Sequence, residues 1–83
     1  MPKDGFNPKA FGLACGILWG VIVLIMTLIA SFTSYGAGFL VLLESIYPYY
    51  VISIPGAIIG LIYGFIDGFI GGAVFAWLYN KFL

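Results

Sequence analysis

The side chains able to do chemistry are few. In the 83-residue chain Lys3, Asp4, Lys9, Glu44, Asp67 and Lys81 carry the formal charges, and they sum to zero. There is no histidine, and Cys15 is the single cysteine. A disulfide within the chain and an ordinary zinc or haem site are therefore ruled out, and Cys15 reads as a small packing residue. No second acid stands near Asp67, no hydroxyl is matched with a base, and no phosphate-binding loop is present. The expectation is a protein that is not an enzyme and takes no cofactor or metal. Without a basic run, nothing points to nucleic acid. What remains is one acid out of place. Residues 45–66 and 68–80 on either side of Asp67 carry no charge. A carboxylate at mid-bilayer costs roughly 2.5–3.5 kcal/mol on insertion scales, so Asp67 must be protonated, hydrogen-bonded or facing water.

The elements that hold Asp67 follow from composition. The chain is 64% hydrophobic and 7% charged, against about 25% charged for a soluble domain. Residues 10–43 and 45–66 are uncharged, and either run exceeds the roughly 20 residues that cross a bilayer as helix. This predicts a single all-α membrane domain: a two-helix transmembrane hairpin with a short interfacial helix in the connecting loop. Residues 1–7 form a polar leader. Asn7-Pro8 reads as an N-cap and first helical residue opening transmembrane helix 1 over 8–33. That run is longer than the apolar core of a signal peptide, so the helix is expected to be permanent. Residues 34–54 form an external loop, with the interfacial helix at 39–47 and Pro48 ending it. Tyr35, Tyr47, Tyr49 and Tyr50 suit an interfacial aromatic belt. Transmembrane helix 2 spans 55–80, with Ser53 upstream of Pro55, and Trp77, Tyr79 and Lys81 reach the far interface before the 81–83 tail. All three lysines lie in the terminal segments, which puts both termini in the cytoplasm.

Glycine recurs at every fourth position. Helix 2 carries Gly56, Gly60, Gly64, Gly68 and Gly72, continued by Ala76, and helix 1 carries Gly12, Gly16 and Gly20. In a membrane such a row lets two backbones approach closely. If Pro8 and Asn80 are level, Gly20 faces Gly68, Gly16 faces Gly72 and Gly12 faces Ala76. Gly56, Gly60 and Gly64 would then be free to receive side chains or another subunit. The row Ile58, Leu61, Ile62, Phe65, Ile66 and Phe69 is expected to face lipid. Asp67 projects between Gly56 and Gly60 and so away from lipid, with Trp19 at its depth and Tyr63 one turn away. A bond to Trp19, Tyr63 or a partner's backbone carbonyl is expected, either as a polar clasp or as an ion-handling group.

The blocks Trp19-Gly20-Val21, Tyr63-Gly64-Phe65-Ile66-Asp67-Gly68-Phe69-Ile70-Gly71-Gly72 and Ala76-Trp77-Leu78-Tyr79-Asn80 carry a resemblance over nearly the whole chain. So do the Asn7-Pro8-Lys9-Ala10 start and Tyr47-Pro48. The chain resembles a family of small bacterial and archaeal membrane proteins that goes by the name bacteriophage holin. The resemblance implies a multi-pass protein of a prokaryotic inner membrane and a subunit that could assemble into a pore. The c subunit of rotary ATP synthase is also a hairpin with a mid-membrane carboxyl, but its glycine repeat is densest on helix 1 and its loop carries arginine. Two functional classes stay open. One is an interaction protein, lipid-embedded, that packs by its glycine faces as a homo-oligomer or an accessory subunit of a larger membrane complex. The other is a holin-like oligomeric pore with Asp67 turned toward water.

Overall fold

The computed structural model describes residues 5–83, so Lys3, Asp4 and the first part of the expected polar leader lie outside the described residues. The fold is all-helical: α1 is Pro8–Thr33, α2 is Ala37–Glu44 and α3 is Ile54–Lys81. Both long helices start as their local chemistry requires. The Asn7 side chain accepts from the amides of Lys9 (3.0 Å) and Ala10 (3.2 Å), satisfying donors that have no partner within the helix. Ser53 does the same for the Gly56 amide at 3.0 Å. Pro8 and Pro55 occupy the first turns, where a missing N–H costs nothing. α1 ends where Ser34 turns left-handed (φ 64°), and Gly36 (φ 76°) then opens α2.

α2 begins two residues earlier than the sequence predicts and ends three earlier. Gly36 takes a left-handed conformation without steric cost, so the helix can start directly after it. The approach to Pro48 disfavours further helix, and the amides of Ser45 and Ile46 tighten onto Leu42 and Leu43.

The short helix expected in the connecting loop is present as α2, and it runs beside the long helices. The molecule is 45 Å long, about what the 28 residues of α3 require alone at 1.5 Å per residue. α2 and the turn after it fold back alongside the long helices. Leu40, Leu43, Tyr47 and Tyr50 are buried there with Val23 and Ala30. Tyr47 and Tyr50 thus leave the expected aromatic belt, whereas Tyr35 and Tyr49 are exposed. Close van der Waals packing of these side chains against one another and against Val23 and Ala30 holds the segment down.

α1 and α3 pack antiparallel along a glycine seam, one turn away from the predicted register. A Cβ on Gly64 would meet Gly20 Cα at 3.0 Å, one on Gly68 would meet Gly16 Cα at 2.9 Å, and one on Gly72 would meet Gly12 Cα at 3.1 Å. Each α1 glycine therefore faces a glycine, and none faces Ala76. The assumption that Pro8 and Asn80 are level is what fails. The Asn80 side chain instead reaches Phe6, accepting from its amide at 2.9 Å and donating to its carbonyl at 2.7 Å. Phe6, Phe11, Phe75 and Tyr79 stack over that junction.

Candidate functional site

Asp67 lies about 20 Å along α3 from Ile54, and Trp19 about 21 Å along α1 from Thr33. Both sit near the middle of the long helices. The group that joins them is Tyr47. Its hydroxyl donates to Asp67 Oδ2 at 3.1 Å and accepts from Trp19 Nε1 at 3.2 Å. The direction is fixed by inventory: an indole N–H can only donate, so the single phenolic proton goes to the carboxylate. No side chain spans 20 Å, so the backbone around Tyr47 itself comes down toward mid-helix.

Packing fixes the phenol in place. Tyr63 stacks on Tyr47 with centroids 5.2 Å apart, and Phe39 meets Trp19 edge-on at 6.2 Å. The expected direct bonds from Asp67 to Trp19 or Tyr63 are therefore corrected: Trp19 acts through Tyr47, and Tyr63 holds the ring that reaches the acid. Nearer the loop end, Thr27 donates to the Val23 carbonyl at 2.7 Å, which leaves Tyr50 to donate to Thr27 Oγ1 at 2.5 Å. Ser31 donates to the Thr27 carbonyl at 2.8 Å. Glu44 accepts from the Ile52 amide at 3.2 Å.

The expectation that Asp67 turns away from the surface is also corrected, because its side chain is exposed at the edge of the seam. Each residue turns a helix by about 100°, so a row at every fourth position drifts about 40° per turn. At the depth of Asp67 the row has moved to Gly64 and Gly68, about 60° and 100° away from it. Gly56 and Gly60, from which its direction was read, are two to three turns further on. By the same drift Leu61, Phe65 and Phe69, expected to face lipid, bring their backbones against Gly20, Gly16 and Gly12.

The surplus glycines of α3 are filled from within. A Cβ on Gly56 would strike the Val51 carbonyl oxygen, and one on Gly60 would lie 2.7 Å from Val23 Cγ1 and 2.9 Å from Tyr50 Cε1. Gly71 alone among the α3 glycines has open space beside it. Sequence reasoning missed Tyr47 as the centre of the site. Three tyrosines within Tyr47–Tyr50, following an apolar helix and turned by Pro48, are the available signal: long side chains whose hydroxyl tips reach far from their own backbone.

No family model, curated protein or solved structure matches this chain.

Proposed function

We propose that this chain is an integral membrane protein that crosses the bilayer twice, with both termini cytoplasmic, and acts as a small interaction subunit beside larger membrane proteins. The observation that supports it is an apolar exterior interrupted at mid-helix by one acid. Of the most apolar 18-residue stretches, 28% of that in α1 and 17% of that in α3 is buried. Core helices of a soluble fold would be mostly buried, yet Ile17, Ile25, Ile58, Ile62, Ile66 and Ile70 all point outward. In a bilayer the turn at Tyr47 becomes a re-entrant tip. Irregular backbone at membrane depth is tolerated where protein covers it; Tyr47 and Tyr50 are covered here, while Pro48 and Tyr49 between them stay exposed.

The glycine row argues for a hairpin closed on itself rather than for assembly through that row, since its members are filled within the chain. Between Ile54 and Leu78 Asp67 is the one exposed polar side chain of α3. A holin-like pore would need a polar stripe along its whole length, and a single acid supplies one point of it.

The test is reconstitution into lipid vesicles. After an alkaline wash the chain should float with the lipid. Trapped dye should be retained. In inside-out vesicles of the expressing cell's inner membrane, a Leu83→Cys variant should be labelled by impermeant maleimide and a Tyr35→Cys variant should not, both in a Cys15→Ser background. Loss from the vesicles on washing would overturn the membrane reading, and leakage abolished by Asp67→Asn would favour the pore.

A further inference from the structure

We infer that Asp67 is the docking point for a cationic side chain carried at mid-bilayer by a transmembrane helix of a different protein. The inference deepens the membrane reading above and rests on it. Oδ2 of Asp67 is taken by Tyr47, while Oδ1 has no hydrogen-bond partner among the described residues and the side chain is exposed. Tyr47 has already given its only proton to this carboxyl. Intramembrane acids are rare and pair with a partner group, because hydrocarbon offers none.

Among the described residues the chain holds no cation level with Asp67, and a second copy in the same orientation brings none there. Lys81 is about 21 Å along α3 from Asp67, and Lys9 about 15 Å along α1 from Trp19, both at the inner end. A second copy in the same orientation brings its lysines to that same end and presents only another Asp67 at mid-depth. The surface beside the acid also suits a helix. Gly71, one turn toward the inner end and on the same face, has open space, so a neighbouring backbone can come close there. The occupant is thus a helix with lysine or arginine level with Asp67 and a small-residue contact opposite Gly71.

The experiment measures energy transfer in lipid vesicles between the full chain, labelled at Leu83→Cys in a Cys15→Ser background, and synthetic polyleucine transmembrane helices. One helix carries a single central lysine and the other is leucine throughout. The lysine helix should associate about tenfold more tightly than the leucine helix, the size of a good intramembrane polar contact. Asp67→Asn should reduce it to the leucine level, and Gly71→Leu, which leaves the acid in place and the fold untouched, should weaken it as well. Equal association of both helices with the unaltered chain would overturn the inference. So would energy transfer between two labelled copies that Asp67→Asn abolishes, since the occupant would then be a second copy. Flotation of the same vesicles reports insertion separately, so a chain that fails to insert overturns the membrane reading on its own readout and the inference with it.

Discussion

Thr27 and Tyr50 show how closely hydroxyls are counted in the buried part of this molecule. Both are almost wholly inaccessible, at 0% and 2% exposed, and each proton has one destination. Thr27→Val keeps the shape but strands the Tyr50 hydroxyl, and should cost about 1–3 kcal/mol of stability. The double variant with Tyr50→Phe should cost less than Thr27→Val alone, since two apolar groups of the same shape leave nothing unpaired. Unfolding of the four proteins in detergent, followed by circular dichroism, checks the cycle. Tyr49 poses the opposite case. The Tyr50 amide bonds back to the Tyr47 carbonyl at 3.2 Å, making a turn with Pro48 second and Tyr49 third, at φ 66°. Glycine normally fills that third position. Because the Tyr49 ring is 89% exposed, little packing offsets the strain. Tyr49→Gly should therefore stabilise the fold by about 1 kcal/mol, seen as a higher unfolding temperature in the same detergent. At this scale the sequence made Asp67 legible as the odd residue out, because its charge stands alone in an apolar run. Its neighbours were not legible, because they come from a turn distant in sequence and because the row used as a compass drifts around the helix.

The helices themselves were readable almost to the residue. α1 and α3 are bracketed by Asn7-Pro8, Ser34 and Ser53-Pro55, whose backbone chemistry is local. Their register was not, since it depends on how far Phe6 and Asn80 reach toward each other and on which small residues interlock. The seam makes a sharp contrast available. A methyl at Gly16 would sit 2.7 Å from the Phe65 carbonyl oxygen, a backbone atom that moves only if the helices part. Gly16→Ala should cost about 1–3 kcal/mol by overpacking. Gly71→Ala meets nothing within 4 Å and should leave stability unchanged or raise it by up to about 1 kcal/mol, alanine being the better helix former. Thermal unfolding of the two variants side by side separates them. A seam that tolerated both equally would mean that α1 and α3 do not pack as described. The placement of α2 was the least readable element. An eight-residue apolar helix looks the same in sequence whether it lies across the hairpin end or folds down beside it. Only the partners of Leu40, Leu43 and the tyrosines decide, and these lie on α1 and α3.

At the scale of the whole molecule, the fold divides into two unlike halves. Toward the loop end, large side chains from α1, α2 and the tip make the buried cluster. Toward the termini, α1 and α3 meet almost backbone to backbone through glycine, and an aromatic stack closes the junction. Asp67 sits where the two halves meet, bonded inward through Tyr47 and open outward. With the fourfold glycine row of α3 filled and the exterior apolar, the surface at Asp67 and Gly71 is the conspicuous place left for recognition, and recognition by a neighbouring helix is the role proposed for it. The measurement that tests this most directly is the native mass of the assembly, gently solubilised from the source membrane, with every co-purifying chain identified by sequence. One or a few copies bound to larger membrane proteins are expected, at least one of those bearing a lysine or arginine in mid-span, with release of the chain on Asp67→Asn. A homo-oligomer of this chain alone would contradict this and return the pore reading to first place.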